Sequence, residues 1–181
     1  METYEFDFSY DDGNWEMHRA YIGDGVLNMY YQTGYSQDYA YRYPESDWVL
    51  DDDFEIEINA KNDNNGYYYR WRIAVTLVGD PNAISFIYNK NDGLVINYDY
   101  EDKVILWQDL DDTDWHNMKV RRTGTIYYVS ADSGEEISFD YQISRELESI
   151  MLERNANPIS LPGKFDNFKY SWEGGDQAFI G

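Results

Sequence analysis

Glu55 and Glu57 are the acids whose spacing most invites chemistry. Side chains alternate along a strand, so residues i and i+2 share a face about 7 Å apart. Long side chains can close that to the roughly 5–5.5 Å between the carboxyl groups of a retaining glycosidase. Glu55 and Glu57 are therefore the candidate catalytic pair. Tyr68, Arg70 and Arg72 alternate in the same way a little further on, and Lys119 and Arg121 do so later still. A ring beside forked guanidinium donors and carboxylates suits a sugar-binding surface. The same set, Glu55, Glu57, Tyr68, Arg70, Arg72, Lys119 and Arg121, also suits a row of ion pairs across neighbouring strands. Both uses are open from the residues alone.

Other chemistries have less to stand on. The chain has no Cys, which removes thiol catalysis, disulfides and cysteine-rich zinc sites together. Its two histidines, His18 and His116, are far apart and have no metal-binding spacing. Asp109, Asp111, Asp112 and Asp114 make an acidic loop that lacks the EF-hand spacing and reads as a solvated turn.

The elements that must carry these residues are strands. In 52–75, Phe54, Ile56, Ile58 and Ala60 alternate with Glu55, Glu57, Asn59 and Lys61. Asn62 to Gly66 is turn chemistry, and Tyr69, Trp71, Ile73 and Val75 then alternate with Arg70, Arg72 and Ala74. This stretch reads as a hairpin in which Glu55 and Glu57 face Arg70 and Arg72, with Lys119 and Arg121 joining them. Met118 and Val120 alternate inward from Lys119 and Arg121. Tyr39, Tyr41 and Tyr43 alternate within a tyrosine-rich stretch, 30–43, suited either to core packing or to a binding loop. The one helical candidate is a single turn near 144–148. About a dozen strands separated by Gly, Asp and Asn turns, at roughly 8–12-residue spacing, indicate an all-β sandwich or barrel.

The net charge of −21 argues against nucleic acid and anionic membrane surfaces as partners, and it favours solubility. No apolar run is long enough to insert in a membrane, and none of the features of a signal peptide follows Met1. That points to a cytoplasmic protein unless a signal was removed. No linker or repeat divides the chain, so it reads as one β-sandwich domain over 1–181, with 173–181 as a tail.

Three segments in order, SDWVLDDDFEIEINAK, DWHNMKVRRTGTIYYVSADSGEEI and PGKFDNFKYSW, resemble the concanavalin A-like superfamily of laminin-G-like and glucanase-like jelly rolls. The resemblance spans most of 15–172. It implies an all-β fold of two antiparallel sheets with a concave face often used for carbohydrate. It also implies that Asp166 ties down a loop or sits near a structural Ca²⁺; no other cofactor is expected. Laminarinase-like glucanases of this fold carry Glu-x-Asp-x-x-Glu, where this chain has Glu55-Ile56-Glu57-Ile58-Asn59-Ala60-Lys61. The second acid is Glu and the third is missing. The reading is therefore a non-catalytic carbohydrate-binding domain, with a glycoside-processing enzyme or a structural, protein-binding module as alternatives.

Overall fold

The computed structural model describes residues 2–29, 36–42, 53–62, 69–80, 84–89, 93–98, 101–105, 114–132, 134–141, 146–156 and 163–172. Its strands are β1 (Glu2–Phe6), β2 (Trp15–His18), β3 (Ala20–Gly23), β4 (Val26–Met29), β5 (Ser36–Arg42), β6 (Phe54–Asn62), β7 (Tyr69–Leu77) and β8 (Ile84–Asn89). They continue with β9 (Gly93–Tyr98), β10 (Glu101–Ile105), β11 (His116–Thr123), β12 (Ile126–Ala131), β13 (Ile137–Asp140), β14 (Leu147–Ala156) and β15 (Gly163–Trp172). Among the described residues, no helix is long and apolar enough to cross a membrane.

The strands form two antiparallel sheets. The first runs β13-β12-β11-β6-β15-β4-β3, with β1 also paired to β15; the second runs β10-β9-β8-β7-β14-β5-β2. One edge of β15 serves two partners. Phe165 pairs with Leu27 of β4, and Phe168 to Trp172 pair with β1. The changeover falls at a register shift between Asp166 and Lys169, where Asn167 takes φ +51°. Such a bulge inserts a residue and bends the strand. Between β2 and β3 the chain turns at Arg19, whose φ is +52°. β2 joins the second sheet there and β3 the first.

The inner faces meet in one apolar cluster. Phe54, Ile56, Ile58 and Ala60 of β6 and Met118 and Val120 of β11 come from the first sheet. Ile73 and Val75 of β7, Phe86 of β8, and Ile150 and Leu152 of β14 come from the second. Each fully buried Ile, Val, Leu, Met or Phe side chain contributes about 1.5–3 kcal/mol. Two arginines close the cluster. Arg122 is buried with its guanidinium 4.6 Å from the centre of the Phe54 ring. Arg42 is buried, donates to the Tyr4 hydroxyl at 2.9 Å and lies 3.4 Å from the Asp12 carboxylate. Desolvated cations need such partners, and aromatic faces supply part of the compensation.

Two expectations are corrected. β6 and β7 do not form a hairpin: β6 pairs with β11 and β15, and β7 with β8 and β14. Their apolar sides face one another through the core instead of lying side by side. Leu147 and Glu148, expected in a helical turn, begin strand β14.

Candidate functional site

Because β6 and β7 lie in opposite sheets, the residues expected to gather on one surface divide between two. Glu55, Glu57, Lys119 and Arg121 lie on the outer face of the first sheet. Arg70 and Arg72 belong to the second, and Tyr68 lies outside the described residues. Glu55 and Glu57 therefore cannot pair with Arg70 and Arg72.

On the first sheet, strand register sets Glu55 opposite Arg121 and Glu57 opposite Lys119. The Lys119 Nζ bridges both acids, 3.1 Å from Glu55 Oε1 and 3.9 Å from Glu57 Oε2. Asn117 Nδ2 donates to Glu57 Oε1 and to Asn59 Oδ1, both at 2.9 Å. Arg121 turns away from Glu55. It donates to Glu136 Oε1 at 2.8 Å and lies 3.9 Å over the Tyr128 ring. Lys169, on the far side of Glu57, sits 3.1 Å from Glu5, and that hydrogen bond raises its pKa. The face is a lattice of alternating charges whose members satisfy one another while staying partly in water. Among the described residues, two open hollows lie in it. One of about 310 Å³ is bounded by Glu5, Asp7, Glu57, Asn59, Asn167 and Lys169. The other, about 250 Å³, includes Asp53, Glu55, Arg121 and Ser171.

Asp166 is on the bulge, next to Asn167 of the first hollow. Its carboxylate accepts from the Asn167 N–H at 2.7 Å. Burial raises its pKa, the Asn167 hydrogen bond opposes this, and the Asp7 charge adds to the rise. Asp7 itself is held low by hydrogen bonds from Ser9. Among the described residues, no three His, Asp or Glu side chains come together to hold a metal ion. Asp109, Asp111 and Asp112 lie outside the described residues. His116, at the end of β11, is turned inward and shares a 2.6 Å hydrogen bond with Asp132, which also accepts from the Asn117 N–H at 2.8 Å. This ties the far end of the β11–β12 hairpin.

The second sheet has a different outer face. Ala74, Ser85, Ser149, Met151 and Glu153 are all buried, yet none belongs to the core cluster between the sheets. They alternate with core residues Ile73, Val75, Ile84, Phe86, Ile150 and Leu152, so they point away from the core. Glu153, only 2% exposed, is the one buried carboxylate among the described residues. Register sets it between Arg72 of β7 and Tyr39 of β5, and Arg72 Nη2 donates to its Oε2. The Arg72 side chain is 25% exposed. Its Nε is buried, and among the described residues nothing accepts from it. The row continues to Ile87 on one side and His18 on the other; in the next row Met151 lies between Ala74 and Tyr41. Arg70 holds the position between Asn155 and Asn89.

Of the expected residues, this second surface contains Arg70 and Arg72. Sequence reasoning misses Glu153 because it follows Ile150-Met151-Leu152, an apolar run with no visible alternation. The signal is there in the i, i+2 relation of Met151 and Glu153, once 147–156 is read as a strand. Tyr39 and Tyr41 stand out in the sequence, but without a partner to choose between their two uses.

No protein-family model matches the chain, and no curated protein matches it in sequence. Solved structures do match in fold. The CBM2 module of the evolved Dit of Lactobacillus casei BL23 phage J-1 is 11% identical, with a TM-score of 0.68, covering 92% of this chain and 94% of that one. The Bacillus licheniformis β-glucanase is 12% identical at a TM-score of 0.68, covering 94% and 98%. The carbohydrate recognition domain of Emp46p, in its potassium-bound form, is 10% identical at 0.66, covering 93% and 94%. The fold is the concanavalin A-like jelly-roll sandwich of two antiparallel sheets, as the three sequence segments implied.

Proposed function

We propose that the protein binds carbohydrate without cleaving it, through the outer face of the second sheet around Arg72 and Glu153. The observation that carries this reading is the Arg72–Glu153 pair, a buried carboxylate holding a partly exposed guanidinium, on the side of the sheet facing away from the core. A buried ion pair contributes little to stability against apolar residues of similar size. A planar, pre-oriented guanidinium with unused donors is, by contrast, well suited to hydroxyl and ring oxygens. Tyr39 and Tyr41, neighbours of Glu153 and Met151 in register, belong to a residue type that supplies flat apolar contact with a polar tip. A phage CBM2 module and a carbohydrate recognition domain of the same fold support a sugar ligand. The glucanase of the same fold supports the alternative, hydrolysis.

Hydrolysis by the usual route requires two carboxyl groups flanking the scissile bond. Glu153 is held by Arg72, and Glu55 and Glu57 are on the opposite outer face, bridged by Lys119. Titration calorimetry against soluble polysaccharides, together with a reducing-end assay, tests the reading. Arg72→Ala is expected to weaken binding at least about tenfold, the effect of losing a central charged donor. Glu55→Gln/Glu57→Gln is expected to bind as the wild type does, and no reducing ends should appear. Release of reducing ends that the Glu55→Gln/Glu57→Gln variant abolishes would establish hydrolysis instead.

A further inference from the structure

We infer that Glu153 determines the class of glycan, restricting the site to uncharged sugars by cancelling the charge of Arg72. The inference rests on the carbohydrate reading above.

Arg72 is the cation that Glu153 holds on this surface, and it is partly reachable from solvent. Left alone it would be a receptor for the carboxylate of a uronic acid, since a guanidinium pairs with carboxylates through two parallel hydrogen bonds. Glu153 already occupies that role from within the sheet. It is nearly completely withdrawn from water, and Arg72 is its partner among the described residues. A uronate arriving at Arg72 would have to share the cation with a buried carboxylate, in low dielectric, on a chain of net charge −21. Like charges desolvated together oppose binding strongly. A neutral sugar meets no such opposition. Its hydroxyl and ring oxygens can accept from the Arg72 donors that Glu153 leaves unused, the guanidinium having five N–H groups in all. Nη2 serves Glu153 and Nε is buried, so the donors within reach of a sugar are those on the exposed quarter of the side chain. Glu153 thereby orients the guanidinium, and its charge excludes the acidic ligand.

The test compares a neutral soluble β-glucan with polygalacturonate in calorimetry, using wild type, Glu153→Gln and Arg72→Gln/Glu153→Gln. Wild type is expected to bind the glucan and not the polyuronate. Glu153→Gln frees the charge of Arg72 and should gain polyuronate binding by at least about tenfold. That gain should fade between about 50 mM and about 500 mM salt, as screening grows. The doubly neutral variant should show no gain. Wild-type preference for polygalacturonate would overturn the inference and leave the carbohydrate reading standing; so would a folded Glu153→Gln protein with unchanged selectivity. If the wild type binds no glycan of either class, the carbohydrate reading itself falls, and this inference with it. A wild-type preference for polygalacturonate overturns the inference even if Glu153→Gln does not fold.

Discussion

Replacing Arg72 by Met should destabilise the protein more than replacing Glu153 by Leu, and the double replacement should restore most of what is lost. The two partners are unequally buried: Glu153 is 2% exposed at its side chain and Arg72 25%. Arg72→Met strands a carboxylate with no route to water, and breaking a buried pair in this way costs about 3–5 kcal/mol. Glu153→Leu leaves a guanidinium that can swing its exposed quarter into solvent, so its cost falls to about 1–2 kcal/mol. Arg72→Met/Glu153→Leu removes both charges and fills the space with apolar atoms beside Ala74 and Met151. It should lie within about 1 kcal/mol of the wild type, because apolar replacements of buried pairs are close to neutral. Urea unfolding followed by tryptophan fluorescence supplies all corners of the cycle, provided the m-value is shared. For a chain of this size each 1 kcal/mol moves Tm by about 2–4 °C, so Arg72→Met should lower it by roughly 10 °C. A cost below about 1 kcal/mol for Arg72→Met would mean that the pair is solvated, against the burial argument. A larger loss from Glu153→Leu than from Arg72→Met would refute the assignment of the carboxylate as the trapped charge.

Three further outcomes are expected. Lys119→Met removes the cation shared by Glu55 and Glu57; since all three are partly exposed, the loss should be about 1 kcal/mol and should shrink in high salt, as urea melts at two ionic strengths would show. Asp166 has a folded-state pKa raised first by burial, so its ionised form is disfavoured in the fold at neutral pH. Asp166→Asn keeps an oxygen for the Asn167 N–H and should raise stability at pH 7 by no more than about 0.5 kcal/mol, a gain that thermal melts should see vanish as pH falls below the ordinary value of 3.8. Gly124 takes φ +59° in the turn between β11 and β12, and a methyl group there would meet nothing within 4 Å, so Gly124→Ala should cost about 1 kcal/mol from backbone conformation alone, and Gly124→Asn less, in the same urea melts.

The strands of the first sheet are the easiest to read from residues. β6 and β11 put one side in the core and the other half in water, so polar and apolar residues alternate without interruption. The pairing of those strands is harder. Asn62 to Gly66 announces a reversal, but in a two-sheet sandwich a reversal can carry the chain across the core as well as to the next strand. Alternation looks the same in either case, which is why it sets Glu55 and Glu57 against Arg70 and Arg72. β14 is obscured by burial on both faces: Met151 is withdrawn from water on the outer side between Ile150 and Leu152 on the inner side. A two-sided strand loses its period and reads as a plain apolar run. Glu153 lies at the end of that run. Its partner Arg72 is 81 residues away in sequence, beyond any local pattern.

The pairing of β1 with β15 also has a kinetic consequence. Thr3 and Ser171, joined by a 3.0 Å hydrogen bond, are 168 residues apart, and β6 at the middle of the first sheet is flanked by β11 and β15, both much later in the chain. Such pairings close large loops before they return any contact energy, which slows folding relative to helical proteins of equal stability. During synthesis β1 has no ladder to join until β15 has emerged, and β6 must wait for β11. Through that interval the apolar side of β6 and its two unsatisfied edges are open to other chains. The acidic surplus of the chain then guards nascent copies against one another while the first sheet is still incomplete.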